Sequence, residues 1–174
     1  MDKRKEANLE VKRRIKDALY DLMAEKSFSE ITVTDIIQRA GVARASYYRN
    51  YHSIEEILET AMRGVIHEFE ETADYDYTDY ICYESVRHAF HFCLRYRKHI
   101  MQLFQSGFSD LFLRILTEYV EDWAGDMPAS SVESYQLYFF TGALYNTVYK
   151  WFENGARESP EEMARMFCGL LQIE

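Results

Sequence analysis

The chain has 174 residues, of which 48% are apolar and 28% are charged, the composition of an ordinary globular protein. This length predicts one compact domain or a small module joined to a larger one. The net charge of −9 argues, taken over the whole chain, against a nucleic-acid partner, because phosphates repel an acidic surface. No apolar run reaches the length of a membrane span, about 18 residues. We therefore expect a cytoplasmic protein with no membrane partner.

The charge is unevenly distributed. Residues 1–52 contain 11 Lys and Arg against 8 Asp and Glu, a net charge of +3, whereas residues 53–174 carry −12. The acidic character is therefore confined to the last two thirds, and the N-terminal third stays open to a polyanionic partner.

The chain has two prolines and no sustained apolar/polar alternation, which predicts an all-α fold of eight or nine helices. Residues 9–24 have the pattern of an amphipathic first helix. Ser53 and Glu56 form a capping box that begins a helix extending to about residue 71. The later helices are predicted at 80–97, 98–105, 108–123, from a capping box at 130–133 to 152, and after Ser159 and Pro160, with an acidic connection at 74–80.

Residues 28–54 contain two short helices joined by a glycine. A helix begins near Thr32, the turn contains Gly41, and a second helix is predicted over 43–50. This arrangement predicts a helix-turn-helix DNA-binding domain over 1–53, whose second short helix would enter the major groove. On spacing alone, a generic three-helix bundle is the alternative.

Residue types on the second short helix suit DNA. Arg44 can donate two hydrogen bonds to a guanine, and Ala45 allows close approach to base edges. Tyr47 and Tyr51 are expected to pack inward. Phosphate contacts are expected from Ser46, Tyr48, Asn50 and His52.

Residues 11–62 resemble the N-terminal domain of the TetR family of transcriptional regulators. The matching residues occur in the family's order and spacing: Phe28, Ile31-Thr-Val33, Asp35-Ile36, Ala40-Gly-Val42, Ser46-Tyr-Tyr48, Tyr51 and Glu55-Glu-Ile-Leu58. The resemblance implies that Thr32 and Thr34 lie near phosphates, that Arg44, Ala45 and Ser46 face bases or backbone, and that Tyr48 contacts a phosphate.

Two positions depart from the family pattern. Ala43 stands where the family commonly has serine, and Ile54 where it commonly has lysine, so two phosphate contacts are missing. Basic residues near the N-terminus either compensate as a DNA-binding arm or form the solvated start of a helix; they are Lys3, Arg4, Lys5, Lys12, Arg13 and Arg14.

Residues 54–174 are predicted to form a regulatory and dimerisation domain that begins with a connecting helix at 54–71. Segments at 142–144, 151–155 and 159–164 resemble a small subgroup of TetR-like C-terminal domains, in which the last two helices pair with a second copy. The eighth helix carries two apolar stripes, which agrees with a homodimer. The interface residues expected are Gly142, Ala143, Tyr149, Met163, Met166, Phe167 and Leu170.

Aromatic and polar side chains of the middle helices are candidates for a small-molecule pocket, with plain core packing as the alternative. They are Arg87, His88, His91, Phe104, Phe108, Phe112, Tyr119, Trp123 and Tyr145. His88 and His91 lack partners at metal-ligand spacing apart from Cys82 or Glu84, so we expect no metal and no cofactor. No nucleophile–base pair or phosphate-binding glycine loop indicates an enzyme.

The resemblance implies a ligand-responsive, dimeric regulator that is released from a near-palindromic operator by a small-molecule effector. The alternative is an activator or co-regulator of the same fold that works mainly through a protein partner.

Overall fold

The computed structural model describes residues 3–73, 82–125 and 132–172. These residues contain nine α-helices, one single-turn 3₁₀ helix at Phe28–Glu30 and no strand, which confirms the all-α prediction. The helices are α1 (Lys3–Glu25), α2 (Val33–Ala40), α3 (Arg44–Asn50), α4 (Ile54–Glu71), α5 (Tyr83–Arg95), α6 (Arg97–Gln105), α7 (Ser109–Ala124), α8 (Val132–Glu153) and α9 (Pro160–Leu171). None of the helices in this part of the chain is long and apolar enough to cross a membrane. The predicted connection at 74–80 and the serines at 130–131 lie outside the described residues.

The chain divides into two compact units, Met1–Gly64 and Val65–Glu174. The division falls inside α4, the helix predicted to connect the DNA-binding and regulatory parts. The functional boundary after residue 53 stays a prediction, and the two units are described separately.

Local hydrogen bonds define the short helices of the N-terminal unit. The Thr32 hydroxyl accepts the Asp35 N–H, and the Asp35 carboxylate accepts the Thr32 N–H, so a complete capping box begins α2. Gly41 ends α2 with φ +60°, a left-handed conformation that glycine adopts without steric cost. Only half of the capping box predicted for α4 forms as expected. Ser53 Oγ accepts the Glu56 N–H at 3.1 Å, but the Glu56 carboxylate accepts a 2.6 Å bond from the N–H of His52.

One apolar core holds the helices of this unit together. Each of α1, α2 and α3 contributes a fully buried side chain, namely Leu19, Ile36 and Tyr47, and α4 adds Leu58 and Met62. Burying an aliphatic or aromatic side chain contributes about 1.5–3 kcal/mol. Because Ile36 and Tyr47 are buried, the opposite sides of α2 and α3 face outward.

The second unit packs α5 against α9 and α7 against α8. The ring of Phe90 on α5 meets Trp151 and Phe167 edge to face, with centroids 5.6 and 6.0 Å apart. Phe140 on α8 meets Phe167 at 5.6 Å. These aromatic contacts join α5, α8 and α9 in one core.

Helix α8 buries the first of its two predicted stripes completely: Leu137, Thr141, Leu144, Val148 and Trp151. The second predicted stripe, Tyr138, Gly142, Tyr145 and Tyr149, is partly covered, since Tyr145 and Tyr149 pack on Phe104 of α6. The uncovered apolar face of α8 is a third one, formed by Val132, Tyr135 and Phe139, and Phe139 is 65% exposed.

Helix α9 begins as predicted, with a capping box between Ser159 and Glu162 and Pro160 at the first helical position. Gly155, with φ +96°, follows the end of α8. Met163 and Phe167, which the sequence assigned to a dimer interface, are buried in the unit's own core, where Phe167 meets Phe90 of α5 and Phe140 of α8. On α9, Met166 and Leu170 are left exposed, and Leu170 is 76% exposed.

Candidate nucleic-acid interface

The start of α2 presents two threonines. Thr32 is exposed, but its hydroxyl donates to Asp35 Oδ2 at 2.8 Å and accepts from the Asp35 N–H at 3.2 Å. Thr34 is exposed on the first turn of the helix. Thr32 therefore acts first as the cap of α2, and the Thr34 hydroxyl is better placed to meet a phosphate.

Two ionic contacts fix α2 against the end of α1. Arg39 donates two bonds to the Glu25 carboxylate, at 2.9 and 2.7 Å. Lys26 Nζ lies 2.8 Å from Asp35 Oδ2. Lys26, with the backbone and hydroxyl donors of Thr32, lowers the pKa of Asp35 to about 2.

The turn between α2 and α3 is braced by α1. Arg14 Nη2 donates to the Gly41 carbonyl oxygen at 2.9 Å. A Cβ at Gly41 would lie 2.7 Å from the same nitrogen, so the contact needs glycine for space as well as for its φ. Arg14 is thus a positioning residue for α3.

The orientation of α3 follows from its one buried residue. Tyr47 has no exposed surface, and with 3.6 residues per turn the side of the helix opposite Tyr47 carries Ala45 and Arg49. Arg44 and Tyr48 flank this exposed face. Arg49 is not among the contacts predicted from the sequence, although the predicted inward position of Tyr47 places it on the outward face.

Arg44 and Tyr48 form an exposed pair on α3. Arg44 Nη2 donates to the Tyr48 hydroxyl at 3.2 Å, and its guanidinium carbon lies 5.3 Å from the Tyr48 ring centroid. The Tyr48 ring in turn meets Tyr47 edge to face at 5.3 Å. The pair therefore rests on a buried ring while its polar atoms face outward.

The remaining predicted contacts lie at the edge of this face. The Asn50 amide donates to the Ser46 carbonyl oxygen at 2.8 Å, so one of its donors is already used within α3. The His52 ring is exposed, with Nδ1 3.1 Å from Glu56 Oε2. The exposed face of α3 thus contains Arg44, Ala45, Tyr48 and Arg49. Ser46 is half-buried beside this face, and Asn50 and His52 lie at its edge.

Some of the predicted pocket residues come together in the second unit. Phe104 meets Phe112 and Tyr145 with ring centroids 5.7 Å away in each case. We name Phe104, Phe112, Tyr145 and Tyr149 the α6–α8 cluster. Phe108 is half-buried at the start of α7.

A second group forms around Phe69 of α4. His88 stacks on Phe69 at 4.5 Å and Tyr119 meets it edge to face at 5.9 Å. Next to this group, the Tyr96 hydroxyl donates to the carboxylate of Glu68. The predicted set is therefore divided between two clusters.

The other pocket candidates are placed elsewhere. His91 is exposed, and its Nε2 lies 2.5 Å from the Glu161 carboxylate on α9. The pKa of Glu161 is lowered mainly by a backbone N–H and by His91, and the half-buried Arg87 adds a smaller effect. The side chain of Trp123 lies outside the described residues. Within the described ranges, no three His, Cys, Asp or Glu side chains form a group that could hold a metal ion.

A capped short helix, a glycine turn and a second helix with an exposed Arg and Ala face define a helix-turn-helix transcriptional regulator. The family described as "Bacterial regulatory proteins, tetR family" matches residues 15–61. The family described as "Transcriptional regulator C-terminal region", one of the TetR C-terminal families, matches residues 75–172. The chain belongs to the TetR family of transcriptional regulators.

Solved structures show the same fold over nearly the whole chain. A TetR transcriptional regulator from Streptococcus agalactiae is 21% identical with a TM-score of 0.69, and 96% of each chain is covered. A TetR-family regulator from Syntrophomonas wolfei is 19% identical with a TM-score of 0.62, covering 94% of this chain and 93% of the other. A structure named dihydroxyacetone kinase operon activator DhaS is 20% identical with a TM-score of 0.59, covering 93% of this chain and 94% of the other. No curated protein matches the sequence.

Proposed function

We propose that this chain is a cytoplasmic, dimeric repressor that binds a near-palindromic operator through α3 and is released by a small-molecule effector. The observation that carries the DNA-binding part is the exposed face of α3, where Arg44, Ala45, Tyr48 and Arg49 lie opposite the buried Tyr47. Arginine donors and a small residue at the centre of the face suit base edges, and flanking hydroxyls suit phosphates.

DNA binding is tested with a duplex from the region upstream of the protein's own gene and an unrelated duplex of equal length. Arg44→Ala is expected to lower the affinity for the upstream duplex by about 1–3 kcal/mol and to change binding to the unrelated duplex little. Lys98→Ala, an exposed position on α6, is the matched control. Equal binding of both duplexes by the wild-type protein would contradict operator recognition.

The dimer is proposed to form through the exposed apolar residues of α8 and α9. Phe139, Met166 and Leu170 are large, apolar and exposed, which is unfavourable in water unless a second copy covers them. Gly142 and Ala143 are only half-buried and allow a helix to approach closely. An isologous dimer that binds a near-palindromic operator needs its two α3 helices about 34–36 Å apart, one turn of DNA.

This interface is tested by sedimentation velocity. Leu170→Glu is expected to convert dimer to monomer, because a charge is placed at the interface while the side chain makes little contact in its own chain. Arg165→Glu, also exposed on α9, is the control and should stay dimeric. A dimer that persists in Leu170→Glu and in Phe139→Glu would assign dimerisation to another surface.

The α6–α8 cluster is proposed as the wall of an effector site. Arg87 and His88 belong to other groups of the same unit, His88 stacking on Phe69, and they are not part of this wall. The rings of Phe112, Tyr145 and Tyr149 each meet Phe104 edge to face, so four rings supply apolar surface, and the two tyrosines add hydroxyls. Any effector that weakens operator binding must itself bind more weakly in the presence of operator, by the same factor. Candidate small molecules are screened by displacement of anilinonaphthalene sulfonate, and operator affinity is then measured with each one that binds. An operator affinity unchanged by every bound molecule would contradict the effector switch.

Activation is a second candidate, because one structure of the same fold is named an operon activator. Transcription in vitro from the upstream duplex distinguishes repression from activation. Repression predicts a lower transcript yield with added protein, and activation predicts a higher one. A protein that acts only through a protein partner would give neither effect and no selective DNA binding.

A further inference from the structure

A groove of about 560 Å³ separates the first turns of α1 from α3. Three cationic side chains line it, Arg4 and Lys5 from α1 and Arg49 from α3, together with the polar side chains of Asn8 and Ser46. None of the described lining residues is acidic. The groove is thus a local basic site on a chain whose net charge is −9.

The basic residues of α1 fall into two classes. Arg13 is held by Glu10 and Asp17 on its own helix, and Arg14 donates to the Gly41 carbonyl. Lys5, by contrast, is exposed at the groove and has no ion-pair partner within residues 3–73, 82–125 and 132–172. The same holds for Arg49 on the opposite wall. These two cations line the groove, and no carboxylate of the described residues forms an ion pair with either of them.

We propose that this groove binds the DNA backbone phosphates beside the major-groove contact of α3; the inference rests on the proposed DNA-binding function. Arg49 belongs both to the exposed face of α3 and to the groove wall, and Ser46 adds a hydroxyl donor next to that face. A duplex that meets α3 therefore presents the phosphates at the edge of its groove to Arg49 and to the first turns of α1. Lys5 and Arg4 supply point charge and forked donors, both of which suit phosphate oxygens.

The first residues of α3 and α4 make the groove more important for binding DNA phosphates. Ala43 precedes α3 without a side-chain cap, and α4 begins with the apolar Ile54. Neither side chain has a donor for a phosphate. The residues of α1 at the groove and Arg49 therefore add phosphate donors that the side chains of Ala43 and Ile54 do not provide.

The experiment compares Lys5→Gln with Arg13→Gln, which removes one charge from the same helix outside the groove. Affinity for the upstream duplex and for an unrelated duplex is measured by fluorescence anisotropy over a range of salt concentrations. Lys5→Gln is expected to weaken binding to both duplexes alike and to reduce the slope of log K against log salt by about 1. Arg13→Gln should leave the slope near that of the wild type. Circular dichroism of both variants checks that α1 remains folded.

Phosphate ethylation interference then locates the contact. The wild-type protein should show sensitive phosphates at the edge of each half-site, and Lys5→Gln should lose at least one of them. Selective wild-type binding with equal salt slopes for Lys5→Gln and Arg13→Gln would overturn the groove proposal and leave the proposed function standing. Failure of the wild-type protein to select the upstream duplex would instead overturn the proposed function itself.

Discussion

Arg44 Nη2 lies 3.2 Å from the Tyr48 hydroxyl oxygen, one helical turn away on the exposed side of α3. The hydroxyl accepts this bond with one lone pair and keeps its own O–H available as a donor. Tyr48 can therefore hold the guanidinium in place and donate to a phosphate at the same time.

Tyr48→Phe is expected to weaken binding to operator and to unrelated DNA alike, by about 1.5–3 kcal/mol, because it removes one hydrogen bond from an uncharged hydroxyl to a charged phosphate. The salt dependence should not change, since the hydroxyl carries no charge. Fluorescence anisotropy with both duplexes at several salt concentrations measures both quantities. A loss confined to the operator would show that Tyr48 acts only by orienting Arg44.

Gly41→Ala is expected to lower the free energy of unfolding by about 1–2 kcal/mol, the cost of a left-handed conformation for a residue with a Cβ. The new methyl group also displaces the guanidinium of Arg14, so DNA affinity should fall with stability. Urea unfolding followed by circular dichroism gives the change in stability.

The control for that substitution is Gly64→Ala. Gly64 lies within α4, and a Cβ there meets nothing within 4 Å. Alanine should raise the free energy of unfolding by about 0.5–1 kcal/mol, since glycine is unfavourable inside a helix. A destabilised Gly64→Ala alongside an unchanged Gly41→Ala would contradict the roles given to both glycines.

Asp35 makes the stability of the N-terminal unit depend on pH. Its pKa is lowered from 3.8 to about 2 by Lys26 and Thr32, so the folded state favours the ionised carboxylate. The contribution is therefore fully present above about pH 4 and is lost as the pH falls towards 2. In urea unfolding, the stability difference between wild type and Asp35→Asn should be constant near neutral pH and shrink over that acidic range. A difference that does not vary with pH would assign the effect of the substitution to packing.

The Tyr47 hydroxyl is a buried polar group without a hydrogen-bond partner among the described residues. Burial raises the pKa of the group to about 12. Since a buried unpaired polar group costs about 1–3 kcal/mol, Tyr47→Phe should leave the unfolding free energy unchanged or raise it by about 1 kcal/mol. Tyr47→Leu should lower it because the aromatic contacts with Tyr48 and Tyr51 are lost. A marked loss of stability in Tyr47→Phe would indicate a bound water at the hydroxyl.

The helix-turn-helix could be predicted because its signals are local. Thr32 and Asp35 cap α2 from within four residues, and the left-handed turn needs only Gly41. The inward position of Tyr47 followed from helical spacing in the same way. Arg49 required one further step, which was to ask what lies opposite Tyr47.

The packing of the second unit, Val65–Glu174, was harder to predict because its contacts join residues that are distant in sequence. The apolar stripe of α9 was visible, but nothing local distinguishes a stripe that faces its own core from one that faces a second copy. Phe167 proved to meet Phe90 and Phe140, whereas Leu170 is the exposed residue. The pocket residues were likewise chosen by type, and their division between two clusters depends on how α4 to α8 pack.

The buried and exposed residues of α3 lie on separate sides of the helix, which affects how a regulator of this kind evolves a new DNA-sequence preference. Ala45 and Arg49 are exposed, whereas Leu19, Ile36 and Tyr47 form the buried framework of the unit. If α3 reads operator bases as proposed, a substitution at Ala45 is expected to alter operator preference without altering the fold, and a duplicated gene can acquire a new regulon by changing one codon.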